Sequence, residues 1–410
     1  MRDIALLHYA APPVIGGVES VIGHHAQLMT RHGHRVRVVA GRGEAPGPSV
    51  RFIRIPRADS RHPDVLAVKA ELDAGLVTPA FETLVAHLVD ELARALQGAD
   101  FVIAHNVCAL HKNLALTAAL RQVCERSAAL QLICWHHDLA WTSARYRAEL
   151  HAGWPWELLR SDWPEARPRH VVISALRQRE LSALFGLPTA RIRVIPSGLD
   201  AAEFLNIGPD TRTLAEQLDL YAADPLLLLP VRITRRKNIE LALRVLACLR
   251  ETEPRAALVV TGPPGPHNPN NASYFDALRA LRAELGLSTA VHFLAEVTAA
   301  LLPDTVIADL YRLADALFFP SREEGFGIPI LEAGLVRLPI YCAAIPALQE
   351  LARDEAIYFP PDGAPAEIAA ALRADLLQNP TVRLRRRVRR EFSWAGVYAA
   401  HIAPLIEELS

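Results

Sequence analysis

The chain has 410 residues, a hydrophobic share of 51% and a formal net charge of −1. That is apolar material for two or three packed domains, with no global charge bias toward nucleic acid. No uninterrupted apolar run approaches the roughly 18 residues of a spanning helix. The N-terminus passes at once into Ile4-Ala5-Leu6-Leu7, without a charged leader or cleavage site, so a signal peptide is not expected. The five cysteines are scattered and never paired as C-x-x-C, which predicts a reduced, cytoplasmic setting. None of the sixteen histidines has H-E-x-x-H spacing, so neither a protein-held metal nor another cofactor is expected.

Asp3–Ala10 reads as a buried strand, followed by a turn-rich loop from Pro12 to Gly17. Val18, Val21, Ile22, Leu28 and Met29 then recur on one helical face, Gly33 ends the helix, and Arg35–Ala40 is a second strand. This β-loop-α-β unit predicts a parallel sheet. The paired Gly16-Gly17 is not a G-x-G-x-x-G dinucleotide fingerprint, and a plain tight turn would explain it equally. Strand-like runs continue at Asp100–Ala104, Leu130–Trp135, His170–Ile173 and Arg191–Ile195, each ending in a polar cluster. In open α/β sheets, ligands gather at such carboxyl ends. His105-Asn106 and His136-His137-Asp138 are two of these exits. Five of the six tryptophans, with Arg145, fall between 135 and 163. This segment reads as a tryptophan-rich cover, as an acceptor platform including Trp141 and Arg145, or as a docking face for a membrane surface.

In the second half, Leu226–Pro230 is a strongly apolar strand whose exit carries Arg232, Arg235, Arg236 and Lys237 ahead of an amphipathic helix. Ala256–Thr261, Val291–Leu294, Ala316–Phe319 and Leu338–Cys342 are further strands, and the tract 262–271 reads as a loop. After Ala316–Phe319 comes Ser321-Arg322-Glu323-Glu324-Gly325-Phe326-Gly327-Ile328-Pro329-Ile330-Leu331-Glu332-Ala333. Its glycines permit a tight turn and Pro329 suits a first helical turn. Glu332 is expected in that same first turn and Glu324 on the preceding loop. Free N–H groups of the helix start can hold an anion, although a carboxylate complementing the helix dipole would account for Glu332 alone. The run Arg383–Arg390 reads as a solvated face or as a contact for an anionic membrane.

The Glu324-x7-Glu332 stretch resembles the Glu-x7-Glu motif of retaining glycosyltransferases of family 4, which have the two-domain GT-B fold. Arg232 and Lys237 match the spacing of that family's diphosphate-binding Arg and Lys, though Val231 stands where Gly is common. Arg191–Asp200 resembles the interdomain crossing, with Ser197 where Asn is usual. The resemblance implies an α/β chain of two Rossmann-like domains facing a cleft. Residues 1–198 would bind the acceptor, 199–394 the nucleotide sugar, and a helix in 395–410 would pack back on the first domain. It further implies transfer of a hexose (glucose or mannose) from a nucleotide-diphosphate sugar to an acceptor hydroxyl with retention and without metal. Arg232 and Lys237 would neutralise the diphosphate, with Arg235 or Arg236 able to share the role. Glu324 would bind sugar hydroxyls and Glu332 the ribose. Gly325, Phe326 and Gly327 would approach the donor, as would Gly16 and Gly17 at the glycine loop. His137 would face the sugar, with His136 as the alternative, and His105, Asn106, Trp141 and Arg145 would line the acceptor side. Partners would be a nucleotide-sugar donor and a small or sugar-bearing acceptor, with peripheral contact to the inner membrane face. A sugar-nucleotide epimerase of the same fold and a non-catalytic binding subunit are the competing expectations.

Overall fold

A computed structural model describes residues 1–127, 129–266, 268–298 and 302–408. The chain divides into two compact units: residues 1–198 with 394–410, and residues 199–393. Each is built on its own parallel sheet.

The first sheet comprises β1 (Asp3–Leu7), β2 (Arg35–Ala40), β3 (Val50–Arg54), β4 (Phe101–His105), β5 (Gln131–His136), β6 (Arg169–Val172) and β7 (Ile192–Val194). Their order is β3-β2-β1-β4-β5-β6-β7. The sequence readings cover all of these except β3, an edge strand that alternates arginine with apolar residues and is only partly buried. Helix Gly17–Arg31 buries Val21, Ile22, Leu28 and Met29 on one face of the sheet. That face is completed from the far end of the chain. Trp394, Val397, Tyr398, Ile402, Leu405 and Ile406 enter the same core, from helices Trp394–Val397 and Ala403–Glu407 and the π-helical turn between them. Trp394 stacks on His24, and Tyr398 stacks on His32 at 4.0 Å between ring centres. Trp394 therefore belongs with the first unit rather than closing the second.

The second sheet comprises β8 (Leu226–Leu229), β9 (Ala257–Val260), β10 (Val291–Phe293), β11 (Ala316–Phe319), β12 (Ile340–Ala343) and β13 (Ile357–Phe359), in the order β10-β9-β8-β11-β12-β13. Both sheets are thus doubly wound, and strand order reverses between β1 and β4 and between β8 and β11. Such reversals leave a crevice outside the carboxyl ends of the strands. Helix Ile239–Arg250 buries its leucines in the second unit's core, and helix Pro365–Gln378 adds Ile368, Leu372 and Leu376.

The tryptophan-rich segment forms a cover. Trp135, Trp156 and Trp163 are buried, Trp141 is partly buried, and Trp154 remains 41% exposed. The arginine run lies on helix Pro380–Glu391, and half of it turns inward. Arg386 pairs with Asp224 and, at 2.7 Å, with Glu253. Arg389 donates at 2.8 Å to the fully buried Asp315, whose same oxygen accepts from the Leu226 amide at the start of β8. Arg385 also approaches Asp315. Neither a wholly solvated face nor a continuous basic strip describes this helix. No helix among the described residues is long and apolar enough to cross a membrane.

Removing Arg389 takes the nearer of two cations from the buried Asp315 carboxylate. Arg389→Ala is expected to destabilise the second unit by about 3 kcal/mol. Arg390→Ala, whose exposed side chain pairs with its neighbour Glu391, should stay within about 0.5 kcal/mol. Urea unfolding of the two variants checks this difference.

Candidate active site

The second sheet's reversal places the exits of β8 and β11 side by side, with Leu227 opposite Ala316 and Leu228 opposite Leu317. Hydrogen bonds fasten the two loops. The Arg322 amide donates to the Arg236 carbonyl at 2.8 Å, and the Arg236 guanidinium donates to the Glu323 carbonyl at 3.0 Å. Asn238 adopts a left-handed conformation (φ 54°), and its buried amide donates to the carbonyls of Pro320 and Pro361. Asparagine tolerates that conformation better than most residues, so the turn after Lys237 has a local cause.

Across this junction Lys237 Nζ donates to Glu324 Oε1 at 2.5 Å, and Arg236 reaches Glu324 Oε2 at 3.4 Å. Both side chains of the first pair are mostly buried. Burial pushes the Lys237 ammonium below the ordinary lysine range, and Glu324 opposes that shift. Lys237 and Arg232 line a cavity of about 460 Å³ together with Thr234, Arg236 and Pro329. Thr234 Oγ1 is buried there without a hydrogen-bond partner among the described residues, an unpaired polar atom of the kind that ligands satisfy.

Gly327 begins helix Ile328–Leu335 at φ 99°, where a side chain would be strained and a Cβ would lie 2.7 Å from Leu348 Cδ2. Gly327 at the cap position has no side chain to bond this helix start, so its own residue caps none of the first-turn N–H groups. Gly325 is exposed with open space around its Cα, and Phe326 is 57% exposed. Pro329 lies in the first turn as expected, but Glu332 does not. The helix starts at Ile328, which puts Glu332 in the second turn with no acidic residue in the first. Its carboxylate is held instead by Tyr311, whose hydroxyl donates to Glu332 Oε2 at 2.6 Å and approaches the Pro329 carbonyl at 3.3 Å. Burial and this carboxylate push the Tyr311 phenol up. Nothing in the sequence around Tyr311 signals that contact.

In the first unit, the Asn106 side chain organises the exits of β4 and β5. Its Oδ1 accepts from the amides of His137 at 2.7 Å and Asp138 at 3.1 Å. The fully buried His105 and His137 share a contact of 3.1 Å between ring nitrogens. Burial holds the His137 imidazole down to about 4, against the upward pull of Asp138, so it is neutral at physiological pH. His136 is committed elsewhere, in a buried chain running from His136 to His170 to Asp162 with steps of 3.1 Å. Trp141 donates to the Trp156 carbonyl, and Arg145 is exposed near Asp138. A Cβ at Gly16 would meet the Glu19 carboxylate at 2.0 Å, which that flexible side chain could relieve by turning away. Gly17 has open space.

Two clusters of metal-ligand residue types occur among the described residues, Cys134-His136-His170 and Asp73-His111-Glu149. The first contains the hydrogen-bonded histidines just described. The second is neutralised by Lys69, which pairs with both carboxylates.

A model described as glycosyl transferases group 1 matches residues 210–391, and one described as glycosyltransferase family 4 matches residues 15–203. A D-inositol 3-phosphate glycosyltransferase of Kineococcus radiotolerans is 32% identical over 58% of this chain and 56% of that protein. A mannosylglucosylglycerate synthase of Petrotoga mobilis is 23% identical over 85% of this chain and 84% of that protein. The chain spans about half the length of the first relatives it matches, from 40% to 63%. A sucrose-phosphate synthase of Thermosynechococcus elongatus overlays with a TM-score of 0.39 and 20% identity, covering 100% of this chain and 99% of that one.

A diphosphate in the cavity beside Lys237 depends on its ammonium. Pyrophosphate binding is expected to weaken about ten-fold or more in Lys237→Ala. In the native protein it should decline as pH rises through a value below the ordinary lysine range, because the cation is present below the depressed pKa and lost above it. Lys237→Arg should remove this alkaline decline, as read by titration calorimetry across pH.

Proposed function

Since the chain belongs to glycosyltransferase family 4, we propose that it moves a hexose from a nucleotide-diphosphate sugar to an acceptor hydroxyl, with retention and without metal. UDP-glucose and GDP-mannose are the donors to test first. The observation that carries this reading is the contact of Lys237 with Glu324 across the β8 and β11 exits, beside a cation-lined cavity.

The leaving nucleoside diphosphate gains charge as the glycosidic bond breaks, and fixed cations stabilise that charge without reorganising. Arg232 and Lys237 supply it, with Arg236 as the third cation of the cavity. An ammonium has three donors, so Lys237 can hold Glu324 and a phosphate oxygen together. The uncapped helix start after Gly327 adds backbone N–H groups for the same anion. Glu324, fixed by Lys237, accepts from the sugar hydroxyls, and Glu332, fixed by Tyr311, accepts from the ribose. Gly325 and Phe326 border the donor, and the backbone at Gly16 and Gly17 is assigned to the donor as well. His137, being neutral, serves the sugar as a hydrogen-bond partner rather than as an acid. The acceptor hydroxyl attacks on the face from which the diphosphate departs. It gives its proton to the departing phosphate oxygen, so the new bond keeps the α configuration.

With UDP-glucose or GDP-mannose as donor, the first product should carry an α linkage by proton NMR, at a rate unchanged by EDTA. Glu324→Gln should lower the transfer rate about 100-fold or more while the circular dichroism spectrum is preserved. A β product, or a variant of near-native rate, would refute the assignment.

A further inference from the structure

Three side chains with soft or borderline donor atoms meet on β5 and β6 of the first sheet. Cys134 and His136 are two residues apart on β5 and therefore point to the same face. His170 is the register partner of Cys134 on β6 and joins them there. All three are buried, and one ligand atom of each lies within 4.8 Å of the other two. A cysteine and a histidine at i and i+2 of a strand, completed from the neighbouring strand, carry none of the local spacings by which metal ligands are usually read from a sequence.

The Asp162 carboxylate, which accepts, stands 3.1 Å from His170 Nε2 and so fixes a proton on that nitrogen. His170 Nδ1 then faces His136 Nε2 at 3.1 Å, with one proton between the two rings. Zinc held by two imidazoles at about 2.0–2.1 Å in a tetrahedron sets their nitrogens about 3.3 Å apart, close to the separation already present. Phe185 packs edge-on against both rings and keeps their planes. His136 Nδ1 is buried with no hydrogen-bond partner among the described residues, so nothing fixes the tautomer of that ring. Asp162 is placed as the outer carboxylate that orients a metal-bound histidine. Together with a Cys134 thiolate it balances the charge of a buried dication. A cavity of about 520 Å³ reaches Asp162 and His170 and gives an ion a path from solvent. The Asp73-His111-Glu149 cluster differs, because the Lys69 ammonium already pairs with both of its carboxylates.

We propose that Cys134, His136 and His170 bind a zinc ion that ties β5 to β6, with Asp162 as the positioning residue for His170. On binding, the Cys134 thiol gives its proton to water and its sulfur bonds the metal. The proton between the rings passes to His136 Nδ1, and the two facing nitrogens each donate a lone pair. Three protein ligands leave the fourth tetrahedral position to water. The ion plays no part in the proposed transfer, and the site stands whether or not that transfer does.

The full chain, dialysed against a chelator, is titrated with Co²⁺ as a spectroscopic substitute for zinc. One equivalent should bind with a sulfur-to-cobalt charge-transfer band in the near ultraviolet, and Zn²⁺ should displace it. Cys134→Ala should lose the band, whereas Cys248→Ala, in the second unit, should keep it. Asp162→Asn, at a partly exposed position, should weaken Zn²⁺ about ten-fold in competition with a chromophoric chelator while the circular dichroism spectrum is preserved. Saturating Zn²⁺ should raise the melting temperature of the native chain by about 5 °C and leave that of Cys134→Ala unchanged. No cobalt binding, binding without the charge-transfer band, or a band that survives Cys134→Ala would overturn the proposal. If Cys134→Ala does not fold, the cobalt spectrum of the native chain and the Asp162→Asn competition still decide.

Discussion

The contact between Lys237 and Glu324 is the constraint on which the second unit's chemistry depends. An ammonium largely withdrawn from water is costly, and a carboxylate at hydrogen-bond distance offsets that cost. The pair is possible only because β8 and β11 are neighbours, so that their exits run alongside one another. The backbone and side-chain ties through Arg236, Arg322 and Asn238 then hold the loops in place. Charge at the site is thus fixed before any ligand arrives, which is the arrangement that stabilises developing charge most effectively. Tyr311 does for Glu332 what Lys237 does for Glu324, through a neutral donor in place of a cation.

In the first unit the polar problem is solved differently. His8, His25, His105, His136 and His137 are all buried and all held below the usual histidine range by burial. His8, His105, His136 and His137 act as neutral hydrogen-bonding groups at the strand exits, with Asn106 fixing the backbone around His137, while His25 packs on Trp135 from helix Gly17–Arg31. The histidines at these exits supply lone pairs and N–H groups of fixed direction.

Much of this was legible from residues alone because the strands of a doubly wound sheet are buried on both faces and read as short apolar runs. β3 and β13 escaped that reading, and both lie at sheet edges where one side meets solvent. The Glu324–Lys237 grouping could be anticipated from a family motif. Its supports could not: Asn238 reaches residues 82 and 123 positions away, and Tyr311 meets Glu332 from another helix. The position of Glu332 was misjudged because the glycine in the left-handed conformation, not the preceding loop, decides where the helix begins. Likewise Arg386 and Arg389 looked like surface charge until Asp224, Glu253 and Asp315 converged on them from distant segments.

The return of residues 394–407 to the first unit has a consequence for biosynthesis. Domains form as units while the chain emerges from the ribosome. The second unit is one continuous stretch and has all of its core once residue 393 is out. The first unit, although translated earlier, lacks Trp394, Val397, Tyr398, Ile402, Leu405 and Ile406 until the second is complete. The part of the molecule begun first is therefore finished after the other, and a message cut short just past the codon for residue 393 would yield a closed second unit and an open first one.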